Sequence, residues 1–184
     1  MGSCSNPLPI FNSLPDSSFS ASSSFESEYG VSHGPERSRL FTQRDGNGIS
    51  CWAQGTNTGD IWIQVDMLET YTLHKIATRG RGDDNWDQKV TAYSVRYSVD
   101  GIAFERFNVS TGDEKIFRGN GEDGLVIVLH QLEGVQARYV RLISLEGSGL
   151  QWELYVCGFI KCMYMYHTHS CKRLGDRLSS KLQS

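Results

Sequence analysis

The stretch Val90–Ser98 constrains the fold of this chain more than any other. Thr91, Tyr93, Val95 and Tyr97 fall on one side of an extended backbone and Ala92, Ser94, Arg96 and Ser98 on the other. That period of two is the signature of a β-strand with two distinct faces. Asp100-Gly101 follows at once, a residue pair suited to a tight hairpin turn, and the chain returns through Phe104 to Phe107.

The same kind of signal recurs along the chain. Ile61–Asp66 alternates loosely, and Leu73–Ala77 follows after a polar turn. Further strands are expected at Leu125–Leu129, at Tyr139–Leu145 and at Leu150–Val156, where Leu150, Trp152, Leu154 and Val156 line up against Gln151, Glu153 and Tyr155. No segment has a convincing helical period. Ser13–Ser27, rich in Ser with Phe19 and Phe25 interspersed, suits an extended segment that packs its aromatics. Gly30, Gly34, Pro35, Gly46 and Gly48 then argue against a long regular element before Ile61. Short strands separated by Gly- and Asp-rich turns imply an all-β sandwich or barrel, whose binding residues sit on loops at one end.

At 184 residues the chain has room for one domain and a tail, and 39% hydrophobic with 21% charged residues is the balance of a globular protein. A net charge of −3 gives no reason to expect nucleic acid as partner. Charge is uneven, because Lys161, Lys172, Arg173, Arg177 and Lys181 face only Asp176 after Cys157. Five cysteines in a Gly- and Ser-rich chain of this size point to a compartment where disulfides persist. No basic-then-apolar leader precedes Asn6, so the chain reads as a mature form or a fragment.

An ordered series of short motifs carries a resemblance. It includes Ser38-Arg-Leu40, Cys51-Trp-Ala53, Trp62-Ile-Gln-Val-Asp66, Ile76-Ala-Thr-Arg-Gly80, Ala137-Arg-Tyr-Val-Arg-Leu142 and Glu153-Leu-Tyr-Val-Cys157, together with Val90–Ser98 and Asp100-Gly101. In that order they resemble the discoidin family, also called the coagulation factor 5/8 type C domain, from Cys4 to Cys157. The resemblance implies a jelly-roll β-sandwich, related to galactose-binding domains, with variable binding loops at one end. It divides the chain into an N-terminal extension (1–3), the domain (4–157) and a basic, disordered tail (158–184). It also implies a Cys4–Cys157 disulfide tying the termini together. Members bind glycans, anionic phospholipids, collagen or other receptors, and most have no catalytic activity.

Within that frame Arg79-Gly-Arg-Gly-Asp-Asp-Asn-Trp-Asp87 joins two strong strands and concentrates charge around an aromatic. Trp86 suits stacking on a sugar or insertion at a membrane interface, and Arg79, Arg81, Asp83 and Asp84 suit bonding to hydroxyls or a carboxylate. Equally, Trp86 packs beneath its own loop with the charges solvated. Arg81-Gly82-Asp83 also spells an integrin-recognition tripeptide, effective only on a protruding tip. Tyr29 and His33 fall in another variable loop, where the resemblance places a second binding spike. Asp45, Asn47, Ser50 and Glu153 leave two readings open: a structural calcium site, or a plain Gly turn with Glu153 paired to an Arg. Asn108-Val109-Ser110 is an N-glycosylation sequon.

Two patterns are decoys. The glycines of Gly119–Gly124 precede a strand-like run instead of the helix N-terminus that phosphate binding needs. Cys162, His167, His169 and Cys171 match no common zinc spacing. Cys51 reads as a small buried hydrophobe. No hydrolase motif is present. The chain is therefore expected to be an extracellular, non-catalytic adhesion module that recognises carbohydrate on glycoproteins or matrix and requires no cofactor. The alternatives are an anionic membrane and an integrin.

Overall fold

The order of the molecule follows from how β3 (Ile61–Arg79) is paired. The computed structural model describes residues 7–56, 58–82, 87–132 and 134–157. Cys4, Asp83, Asp84, Trp86 and the expected tail lie outside them. Before β3 come β1 (Leu8–Pro9) and β2 (Phe19–Ala21). After it come β4 (Val90–Ser98), β5 (Glu105–Arg106), β6 (Ile116–Arg118), β7 (Val128–Gln131), β8 (Gln136–Gly147) and β9 (Gln151–Cys157). The named strands all pair antiparallel, in the order β1-β9-β3-β8-β4-β5, with β2 and β7 also on β3 and β6 on β4.

The first arm of β3 pairs with β8, from Ile61 opposite Ser144 to Asp66 opposite Tyr139. The second pairs with β9, from Thr72 opposite Cys157 to Arg79 opposite Gln151. A straight strand of 19 residues spans roughly 60 Å. Gly147 and Gln151, however, are only four residues apart and at most about 14 Å distant. The two ends of β3 that they flank must therefore lie close together, and β3 doubles back on itself. The bend is the register irregularity between Asp66 and Tyr71, where Leu68 takes the left-handed φ of 66° and the Asp66 carboxylate accepts the Leu68 N–H at 2.8 Å.

Two layers result, one from the first arm with β2, β8 and β4, the other from the second arm with β9, β7 and β1. Ile63, Val65, Tyr93, Val95, Val140 and Leu142 from the first meet Leu73, Ile76, Trp152, Leu154 and Val156 from the second in one buried cluster. The expected all-β sandwich is thus present. Three boundaries differ from expectation. The two strands expected on either side of a polar turn are one folded-back strand. The Phe104–Phe107 return shortens to β5. The run at Leu125 becomes regular only at Val128, because the Asp123 carboxylate accepts the Leu125 N–H (2.8 Å) and the Asn120 amide holds the Val126 carbonyl in a turn.

Strand β9 is buried on both faces. Beside its core residues, Gln151 and Glu153 turn to the segments that precede β3. Gln151 Oε1 accepts the Phe41 N–H (3.0 Å), and its amide donates to the carbonyls of Thr42 (3.0 Å) and Ser50. Glu153, only 3% exposed, accepts the N–H groups of Ile10 (3.1 Å), Phe11 (2.9 Å) and Leu154 (3.0 Å) on one oxygen. Cys157 ends the strand in a disulfide.

Both the left-handed bend at Leu68 and the buried bonds of Glu153 bear on stability. Leu68→Gly keeps the left-handed conformation but relieves its cost to an L-residue, about 1–2 kcal/mol, partly offset by glycine's greater unfolded entropy. Thermal denaturation of that variant is expected to show a gain of about 1 kcal/mol, and a β-branched Leu68→Val a loss. The contribution of Glu153 depends on pH. Burial pushes the Glu153 carboxyl up to about 7 from 4.5, against the pull of its three N–H donors and of Arg39. The folded state binds that proton more tightly, so the stabilisation is complete below pH 4.5 and is lost as pH rises through 7. Urea titrations are expected to show roughly 3 kcal/mol lost across that window in the wild type and a flat response in Glu153→Gln. Asp66, held low by Arg138, and Asp100, held low by the Ile102 N–H and the Ser98 hydroxyl, titrate below 3.8 and leave the window clear.

Candidate functional site

At the end of the sandwich where β8 hands over to β9, the loops enclose an open recess of about 560 Å³. Its wall is the segment 25–33. Phe25 and Tyr29 stand at the rim, Tyr29 88% exposed, and His33 packs edge-on to Phe25 with centroids 5.0 Å apart. The floor is Ile49 and Ala53, which with buried Cys51 and the adjoining Val31 form a small apolar cluster separate from the main core. Gln54, Arg81, Gln88 and Ser148 bring polar groups from three other loops, and Arg44 lies at the edge.

Backbone bonds rather than a regular sheet hold this wall. Ser32 donates to the Asn47 carbonyl (2.8 Å), Ile49 to Ser32 (3.0 Å), Phe25 to Ala53 (2.8 Å) and Ala53 to His33 (3.2 Å). The 43–49 loop is braced by Arg37, whose guanidinium donates to the carbonyls of Gln43 (2.6 Å), Gly48 (3.2 Å) and Ile49 (2.7 Å) and to the Asp45 carboxylate (3.1 Å). His33 Nδ1 donates to the Val31 carbonyl at 2.9 Å, so in the neutral ring Nε2 is left as an acceptor. Planar amides, a guanidinium, an imidazole and a phenol thus surround an apolar floor, an arrangement able to bond hydroxyls while an aromatic covers a ligand's apolar face.

The structure brings Tyr29, His33 and Arg81 together in this recess. It separates Arg79 from them: Nε donates to the Leu125 carbonyl (3.0 Å), Nη1 to Gln151 (3.3 Å), and the guanidinium lies 5.9 Å from the Phe41 ring. Arg81 is 9% exposed. Its N–H and Nη1 both bond Gln88 (2.8 and 2.9 Å), and the Gly82 N–H donates to Ser50 Oγ (3.1 Å). A side chain held inward by this pairing is not the projecting cation that the integrin-type reading of Arg81-Gly82-Asp83 requires. The Asp83, Asp84 and Trp86 expectations lie outside the described residues, as does Cys4 of the expected disulfide.

Of the residues considered for calcium, Asp45, Ser50 and Glu153 hydrogen-bond to the protein. Asp45 closes its own turn, accepting the N–H groups of Asn47 (2.8 Å) and Gly48 (2.9 Å) as well as Arg37, and those bonds hold its carboxyl below the usual range. Ser50 serves Gly82, and Glu153 serves the Ile10–Phe11 backbone. No cluster of three metal-binding side chains of the His, Cys, Asp and Glu type occurs among the described residues. Asn108 is exposed at the start of a tight turn in which Val109 donates to the Asp113 carbonyl (2.9 Å).

Sequence reasoning missed several lining residues. Phe25 shares the Ser-rich context of Phe19, yet only Phe19, opposite Val65 in β2, enters the core. Gln54, Gln88 and Ser148 are ordinary polar residues in separate loops and carry no local signal of their meeting.

A family model described as F5/8 type C domain matches residues 18–156. Lactadherin from Mus musculus is 32% identical over 146 residues, covering 78% of this chain and 31% of that protein. Coagulation factor V from Mus musculus is 28% identical over 159 residues, covering 84% of this chain and 7% of that protein. The chain thus spans about a third or less of these relatives. Discoidin II from Dictyostelium discoideum superposes with a TM-score of 0.66 at 20% identity, over 84% of this chain and 60% of that one. A carbohydrate-binding module from Clostridium perfringens, solved in complex with GalNAc-β-1,3-galactose, gives 0.55 at 18% identity, over 82% of this chain and all of that one.

Proposed function

The chain belongs to the F5/8 type C domain family, and from that premise we propose that it is an extracellular, non-catalytic module that binds carbohydrate in the recess between the 25–33 wall and Gln88. The observation that carries this reading is Tyr29, 88% exposed above a recess furnished with planar polar side chains. A water-exposed aromatic beside an amide- and hydroxyl-lined cleft suits a sugar ring, whose C–H face stacks on the phenol while its hydroxyls reach the polar groups. That a structural neighbour of the same fold was solved with a disaccharide supports the choice.

The non-catalytic part rests on membership of the F5/8 type C domain family, most of whose members bind and do not catalyse. The disulfide at Cys157 and the exposed Asn108 sequon support a secreted or cell-surface setting, where adhesion through glycoproteins or matrix is the corresponding use. Peripheral membrane binding is the second reading, favoured by exposed Phe25 beside Tyr29 with Arg44 at the edge. The integrin reading is disfavoured by the inward placement of Arg81.

The test is a glycan array probed with disulfide-intact protein, with and without calcium, beside Tyr29→Ala. Specific glycan binding is expected, weakened about tenfold or more in the variant, as removal of an aromatic contact of about 1.4 kcal/mol predicts. Folded protein that leaves the array blank and instead binds phosphatidylserine vesicles replaces the sugar reading with the membrane one.

A further inference from the structure

On the outer face of the first layer, away from the recess, one residue from each of five strands falls into a single transverse row. Arg106 of β5 is directly opposite Arg96 of β4, Arg96 opposite Arg141 of β8, Arg141 opposite Gln64 of β3, and Gln64 opposite Ser20 of β2. Neighbouring strands lie about 4.8 Å apart, so the three arginines span roughly 10 Å in a line. Like charges at directly opposed positions are destabilising. The row nevertheless has a single carboxylate within reach among the described residues, Glu114, at 3.3 Å from Arg96 Nε and 4.0 Å from Arg106 Nη1.

Arg141 is held without any carboxylate among the described residues. Its Nε and Nη2 donate to Gln64 Oε1 (3.1 and 2.8 Å), and its guanidinium is stacked between Trp62 and Phe104, 4.2 Å from each ring centroid. Burial first, and then the charge of Arg96, pull its pKa below the ordinary arginine value. The nearest comparable cation on β8, Arg138, is by contrast matched by a bidentate bond to Asp66 (2.7 and 2.8 Å). The row is therefore a strip of three guanidiniums against one carboxylate, with Arg106 59% exposed and Arg96 26%.

We propose that this strip is an interaction surface for a sulfated glycan chain. The guanidinium fork matches the oxygens of a sulfate, and a line of such forks matches a linear polyanion that presents its charges at intervals. Trp62 and Phe104 are occupied in stacking on Arg141 and are only partly exposed, so at this strip they are not the protruding apolar side chains that would insert into a bilayer. The strip is independent of the recess, and shares no residue with it.

The experiment measures binding of a heparin octasaccharide to the disulfide-intact chain at low and physiological salt, with a desulfated octasaccharide, polyglutamate and phosphatidylserine vesicles as comparators. Binding to the sulfated chain is expected to weaken with salt, as exposed charge interactions do. The double variant Arg96→Ala/Arg106→Ala is expected to weaken it at least tenfold with the fold intact by circular dichroism. Glu114→Gln, which removes the opposing charge, is expected to strengthen it several-fold, and Tyr29→Ala to leave it unchanged. Absence of wild-type binding, an unaffected double variant, or equal binding of any comparator would overturn the proposal. So would loss of binding in Tyr29→Ala, which would place the sulfated chain in the recess.

Discussion

Two buried polar side chains, Gln151 and Glu153, hold the non-strand half of this molecule to its sheet. Residues 10–18 and 35–52 have almost no ladder of their own, yet Ile10, Phe11, Leu14, Ser38, Leu40 and Ile49 are buried, and buried backbone groups must find partners. Gln151 meets Phe41, Thr42 and Ser50, and Glu153 meets Ile10 and Phe11. The same bonds fix Phe41 at a φ of 67°, which a bulky residue keeps only where its surroundings over-determine it. From Ser50 the connection runs on, since its hydroxyl accepts the Gly82 N–H and the adjacent Arg81 bonds Gln88. The recess is thus built outward from β9, and its polar wall is positioned by a chain of hydrogen bonds instead of by loop stiffness.

That origin explains which parts of the molecule were legible in its sequence. Val90–Ser98 and Gln151–Cys157 announce themselves because each alternates against a core it contacts directly. The fold-back of β3 does not, because it depends on which strands flank its two arms, and that is set by the short connection between β8 and β9. Leu125–Ile127 are as apolar as a strand, but Asp123 and Asn120 hold their backbone in a turn. Local composition cannot weigh those competing bonds.

The site shows the same division. Arg81 was accessible to sequence reasoning because its loop concentrates charge around an aromatic, and Tyr29 and His33 because the family resemblance places a binding spike in theirs. Gln54, Gln88 and Ser148 were not, since each becomes part of a site only through tertiary placement. Asp45 and Glu153 illustrate a different ambiguity. A carboxylate in a sequence looks alike whether it bonds the protein's own backbone or faces a cation. For Asp45 the turn reading is supported by Arg37, arriving from eight residues away to brace the same loop. Glu153 instead accepts N–H groups at the start of a 3-10 turn, Phe11–Ser13, more than a hundred residues distant in sequence.

The row of arginines raises the converse question of how a sheet tolerates like charges at neighbouring positions. One carboxylate, Glu114, is shared between two of them and cannot fully neutralise both. The third is accommodated by other means: two aromatic faces at 4.2 Å and an amide oxygen that accepts two of its N–H groups. A cation over an aromatic face is worth about 0.5–2 kcal/mol, so two such contacts are comparable to the repulsion expected from a neighbouring guanidinium at a partly exposed site. Stacking compensates for charge without cancelling it. A carboxylate would have removed the field of Arg141 along with its cost, whereas Trp62, Phe104 and Gln64 leave that field in place on the outer surface, available to an anion that arrives from solution.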